Sequence, residues 1–110
     1  MEPAIKKISK KLVQTLEQPS FFEVYLVNRS FMNKNVLALE APRNFPQPDI
    51  YGRFLGEIYL NLDYITKHRE NIFPMLIHGF VHLLGYDHVK KNDRIRMKKK
   101  EKWLLKLLGN

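Results

Sequence analysis

At 110 residues, with 45% apolar and 27% charged side chains, the chain is sized and composed as one soluble domain, residues 1–110, and not as a disordered or fibrous protein. Its longest apolar runs are four residues, which excludes a membrane span; no secretory signal is expected, and the absence of cysteine excludes a disulfide scaffold and a thiol nucleophile and suits a reducing, cytoplasmic setting. The excess of 19 Lys and Arg over 11 Asp and Glu, a formal net charge of +8, favours a polyanionic partner, nucleic acid ahead of a membrane surface.

Ile5, Ile8, Leu12 and Leu16 recur every three or four residues, with Lys6, Lys7, Lys10 and Lys11 on the other faces. This predicts an amphipathic helix that Pro19 and Ser20 end. Phe22 to Val27 reads as a buried strand of aromatic and branched residues. A polar connection, 28–34, leads to a second short strand from Val36 to Leu39. Pro42, Pro46, Pro48 and Gly52 mark residues 41–53 as an irregular loop. Leu55 to Leu60 is a third strand, and Asp63 to Glu70 a helical turn or short helix. Ile72 to Leu84 is apolar on nearly every face and too long for a strand, so it is expected as a buried helix stopped by Gly85. A last helix runs from Asp93 to Leu108. Helices segregated from a few strands imply an α+β domain, a small mixed β-sheet packed by helices.

Three of the four histidines lie within eleven residues: His78, His82 and His88. On a helix, positions four apart share one face, so His78 and His82 can grip one ion. Gly85 lets the chain turn and bring His88 to the same ion. Three imidazoles leave a fourth position for water, as in a catalytic site, and a zinc-bound water has a pKa of about 7. One Zn²⁺ per chain is therefore expected on the penultimate helix, with other divalent metals such as nickel or copper compatible with the same ligands. His68 stands apart, in a polar segment, and reads as a surface residue.

The spacing His-x-x-x-His-x-x-Gly-x-x-His is shared with the metzincin proteases, which carry a glutamate general base directly after the first histidine. Here that position is Gly79. The whole string, His78-Gly79-x-x-His82-Leu83-Leu84-Gly85-Tyr86-Asp87-His88, resembles instead the signature of the YbeY family of metal-dependent endoribonucleases, the bacterial rRNA maturation factors. Weaker similarity extends over residues 22–110. Leu55-Gly56-Glu57-Ile58 resembles the family's Leu-Gly-Asp-Ile strand. Asn35-Val36-Leu37 resembles the start of its Asp-Val-Leu-Ser-Phe-Pro segment, and Met97, Glu101 and Leu104-Leu105 resemble its last helix. One departure stands out. The family's helix between the first two strands, with an Asn-Arg pair and a further arginine lining the cleft, is reduced here to Asn28-Arg29-Ser30-Phe31-Met32, and the second arginine has no counterpart.

The resemblance implies single-strand-specific cleavage of RNA in rRNA maturation, including 16S rRNA 3′ end processing, and in ribosome assembly, with rRNA and ribosomal particles as partners and no membrane. In that frame, Asp87 orients a ligand imidazole or accepts a proton, the other role open to it being a turn cap. Glu57 serves as a second catalytic carboxylate if its strand runs beside the histidine helix, and is otherwise an exposed strand residue. Glu101 lies on the apolar stripe of the last helix and needs a partner there, a histidine N–H or a basic side chain. Arg29 is a weak substitute for the missing arginine. Lys98, Lys99 and Lys100, within a run of cations from Arg94 to Lys106, are candidate phosphate contacts; no interleaved aromatic pattern points to base stacking. Two rival readings are a metal-dependent peptidase, opposed by Gly79, and a basic RNA- or ribosome-binding module with a structural metal, favoured by the missing arginine.

Overall fold

The computed structural model describes residues 3–28, 34–42, 52–86 and 91–109. In chain order these form α1 (Pro3–Val13), β1 (Ser20–Val27), β2 (Val36–Glu40), β3 (Arg53–Asn61), α2 (Leu62–Lys67), α3 (Ile72–Leu83) and α4 (Lys91–Leu108). The architecture is the expected α+β arrangement: a three-stranded mixed sheet with helices packed on it. Helix α1 stops at Val13, short of the predicted end. There the Thr15 hydroxyl donates to the Leu12 carbonyl at 2.6 Å, and the amides of Thr15 and Leu16 bond three residues back rather than four. The side chain thus competes for a carbonyl the helix needs. The tighter turn still delivers Leu16 to the core. Residues 43–51, most of the expected irregular loop, lie outside the described residues.

The strand order is β1-β3-β2. Central β3 runs parallel to β1 and antiparallel to β2. A bulge sets Leu55 and Gly56 opposite Phe22, between the pairs Phe21–Phe54 and Glu23–Glu57. Gly56 has φ 139°, a backbone state closed to side-chain-bearing residues. A Cβ there would also fall 2.1 Å from the Leu39 carbonyl oxygen and 2.9 Å from Leu83 Cδ2.

One face of the sheet carries Ile58 and Leu60, both fully buried, against Leu76, Phe80 and Val81 of α3. The Phe80 ring lies 5.4 Å from that of Phe22. Ile5 and Leu12 of α1 and Met97 and Leu104 of α4 close the same core. Helix α3 comes close to the sheet at Gly79, where a Cβ would stand 3.0 Å from Ile58 Cγ2 and 3.2 Å from Val36 Cγ2. Asn71 caps its start, its Oδ1 accepting from the Phe73 amide at 3.0 Å. Pro74 sits in the first turn, where no backbone donor is needed. Gly85, at φ 99°, ends α3 in the left-handed state expected of it. No helix among the described residues is long and apolar enough to cross a membrane.

Candidate active site

His78 and His82 stand one turn apart on α3, their rings edge to face with centroids 4.7 Å apart. Both line an open cleft of about 400 Å³ between α3 and the edge strand β2, together with Lys34, Asn35 and Tyr64. Pairing of β2 with β3, from Val36–Leu60 to Glu40–Gly56, lays this edge beside the histidine helix. The Asn35 carbonyl accepts from the Asn61 amide at 2.9 Å, and its side-chain nitrogen lies 3.2 Å from both Glu70 carboxylate oxygens. The rim of the cleft is therefore tied to β3 and to the residues just before α3.

The second ring nitrogen of each histidine decides what the pair can do. Nδ1 of His78 is 2.6 Å from Glu101 Oε1, between side chains 32% and 20% exposed. Nδ1 of His82 is 3.1 Å from the Tyr86 carbonyl oxygen. A carboxylate and a carbonyl only accept, so Nδ1 is the donor in both rings. In the neutral form this leaves Nε2 as the basic nitrogen of each, the tautomer that ligates a metal through Nε2. Metal-ligating histidines almost always show this outward N–H to a carboxylate or carbonyl. The donor set thus fits a divalent ion with imidazole ligands. Glu101, placed by the sequence on an apolar stripe in need of a partner, finds the histidine N–H rather than a basic side chain.

His88, Asp87 and Arg29 lie outside the described residues. Among the described residues no group of three His, Cys, Asp or Glu forms a metal cage. Glu57 is not brought to the histidines. Ile58 meets α3 at Gly79, and because strand side chains alternate, Glu57 occupies the opposite sheet face. There its carboxylate accepts from the Tyr59 hydroxyl at 3.2 Å. The expectation of a second catalytic carboxylate at Glu57 fails on this geometry, and Glu57 is a strand residue of the outer face. Lys98 and Lys99 are exposed on α4, while Lys100 is half-buried with its ammonium 4.5 Å above the Trp103 ring.

Position 79, where a metzincin carries its base, is a packing position. A Cβ there would crowd Ile58 and Val36 at 3.0–3.2 Å, so the position a metzincin uses for its base is here filled by close packing, and the glutamate the peptidase reading needs is absent. Sequence reading missed Lys34, Asn35 and Tyr64 as cleft residues. Their placement follows from β2 forming an edge, and that depends on strand order, for which the local sequence carries no signal.

The family model described as "Endoribonuclease YbeY" matches residues 4–109. A relative named Endoribonuclease YbeY from Pelagibacter ubique is 30% identical over 94% of this chain and 74% of its own length. Relatives of the same name from Anaplasma marginale and a Wolbachia strain are 42% and 41% identical, over 68% and 71% of this chain. The chain spans 51% and 60% of the length of those two proteins.

Proposed function

Because the chain belongs to the endoribonuclease YbeY family, we propose that it is a metal-dependent endoribonuclease, acting on single-stranded regions of rRNA in the cytoplasm during rRNA maturation and ribosome assembly. The observation that carries this reading is the pair of imidazoles held in one tautomer by Glu101 and the Tyr86 carbonyl. His78 and His82, with His88 as the third ligand, would hold one zinc ion. Such an ion supplies water activation at neutral pH and neutralises charge on a phosphodiester.

The chain's own residues divide the remaining work. Glu101 sets the His78 ring and balances part of the positive charge of the site. The Tyr86 carbonyl sets His82. Lys34, beside the two rings in the cleft, is a cation placed to bind a phosphate oxygen of the substrate, the task left open by the missing arginine. Glu70 fixes the Asn35 amide at the rim and so shapes the entrance. Asp87 remains the candidate for moving a proton at the substrate.

The test is metal analysis of the purified protein joined to cleavage of single-stranded and ribosomal RNA with and without chelator. One equivalent of zinc, chelator-sensitive cleavage and loss of both in His82→Ala are expected. Metal stoichiometry unchanged in His82→Ala overturns the ligand assignment. Hydrolysis of casein that His78→Ala abolishes overturns the substrate in favour of peptide. RNA binding without cleavage of any ribosomal substrate, surviving both metal removal and His78→Ala, overturns the enzyme in favour of a binding module.

A further inference from the structure

Helix α4 carries two stripes. Met97, Glu101, Leu104 and Leu108 turn inward, Met97 and Leu104 being buried. Arg96, Lys99, Lys100 and Trp103 follow the same i, i+3, i+4, i+7 spacing on another face. With Tyr86 they line a shallow depression of about 360 Å³. This places two aromatic rings and three cations around one concavity. Trp103 is 48% exposed, a large apolar surface that folding alone leaves uncovered. The one carboxylate in this part of the helix, Glu101, is engaged with His78 and does not neutralise the three cations.

The depression adjoins the histidine pair through the chain itself. Tyr86 lines the depression and gives its carbonyl to His82. Trp103 lies two residues beyond Glu101, which holds His78. A ligand here needs a flat, polarisable ring and negative charge beside it. A nucleotide has both. A nucleic acid strand joins a ring to a phosphate in every unit, whereas an acidic peptide supplies a ring only where it carries an aromatic residue, and a lipid surface presents no ring.

We propose that Tyr86, Arg96, Lys99, Lys100 and Trp103 form a subsite that stacks one base of a single-stranded RNA and grips its flanking phosphates, next to the histidine cleft. The proposal rests on the endoribonuclease reading for its choice of RNA as the strand. Stacking on aromatic faces and charge pairing to phosphates are together the sequence-tolerant way of holding single strands. The subsite anchors the strand outside the cleft, while Lys34 and the histidines act on the linkage within it.

Trp103 is the single tryptophan of the chain, so its fluorescence reports what happens at this one ring. With chelator present to prevent cleavage, a single-stranded oligoribonucleotide of about eight residues quenches that fluorescence, and an abasic strand of equal charge does not. By anisotropy of a labelled oligoribonucleotide, Trp103→Leu weakens binding about tenfold, and Trp103→Phe keeps most of it. Replacing Lys99 and Lys100 by alanine lowers the slope of log affinity against log salt by about 1.4, two single-strand phosphates' worth of released counterions. Equal quenching by the abasic strand, or unchanged affinity in Trp103→Leu, overturns the stacking subsite. A free nucleoside monophosphate binding as tightly as the strand overturns the assignment to RNA, as do phosphatidylglycerol vesicles that perturb Trp103 when the oligoribonucleotide does not. Cleavage is read separately after metal is restored. Cleavage without stacking sinks the subsite and leaves the enzyme; stacking without cleavage supports the subsite and sinks the enzyme.

Discussion

Removing the Glu101 carboxylate tests whether α4 sets the reactivity of α3. The contact to His78 Nδ1 is short, 2.6 Å, and neither side chain is more than 32% exposed, so solvent screens it only in part. Hydrogen bonds to a charged group contribute about 1.5–3 kcal/mol, roughly twice the neutral kind. Glu101→Gln keeps an acceptor oxygen and loses the charge, a difference of about 1.4 kcal/mol, which is a factor of about ten in zinc affinity. Glu101→Ala loses both and should weaken zinc binding by up to about a hundredfold, the upper end for such supporting residues. Competition against a chromogenic chelator measures the affinities. Imidazole ¹⁵N shifts in the metal-free variants provide the second readout. His78 should pass to a mixture of tautomers in Glu101→Ala, while His82, held by the Tyr86 carbonyl, stays protonated at Nδ1. A folded Glu101→Ala protein that binds zinc as tightly as the parent, with His78 still protonated at Nδ1, refutes the reasoning.

Gly56→Ala should lose about 3 kcal/mol or more of stability, since the new methyl meets the Leu39 carbonyl oxygen at 2.1 Å and the φ of 139° is itself strained; a urea midpoint equal to the parent's contradicts this. Gly79→Glu should lose about 3 kcal/mol or more, because its Cβ is crowded against buried Ile58 at 3.0 Å and a long charged side chain must be accommodated beside it, and should show no peptide hydrolysis. Gly79→Ala should cost less, its overpacking of about 1–3 kcal/mol being offset in part by about 1 kcal/mol of helix propensity. Tyr25 should release its phenolic proton at about 12 instead of 10.0, chiefly through its hydrogen bond to Glu23, with desolvation and the charge of Glu57 adding to it. Because the native state holds that proton longer than the unfolded chain does, this contribution to stability is complete below pH 10.0 and is lost as pH rises to about 12. Phenolate absorbance follows the titration, and Glu23→Gln should return it toward 10.0.

Periodicity made α1 legible, because Ile5, Ile8 and Leu12 recur at helical spacing, whereas α3 was legible from its length and from apolar residues on nearly every face. The strands were legible from branched and aromatic runs. Their order was not, and the cleft depends on it: Lys34 and Asn35 meet the histidines only because β2 pairs antiparallel to β3. The same gap misplaced Glu57. A strand pattern shows that alternate residues face opposite ways, and it takes the packing of Ile58 on Gly79 to show which set faces α3. The histidine pair itself was readable from the i, i+4 spacing. The tautomer lock was half readable, since Glu101 on an apolar stripe demanded a partner that only tertiary contact could name. The Trp103 depression escaped notice because its cations and rings are interleaved along a helix face rather than along the chain.

Gly79 directly follows His78, and Gly56 stands across from Leu83 on the neighbouring strand. At both points the backbone of one element lies directly against side-chain methyls of the other, Gly79 against Ile58 and Gly56 against Leu83 Cδ2. Such a joint is keyed, not cushioned. A slide of α3 by one residue, about 1.5 Å along its axis, would bring a side chain up against Ile58 in place of Gly79, so this register packs most closely. The amides of α3 and β3 should therefore exchange with solvent only through global opening. The two imidazoles are carried by the helix that makes this close approach, so their spacing is tied to the packing of α3 on the sheet.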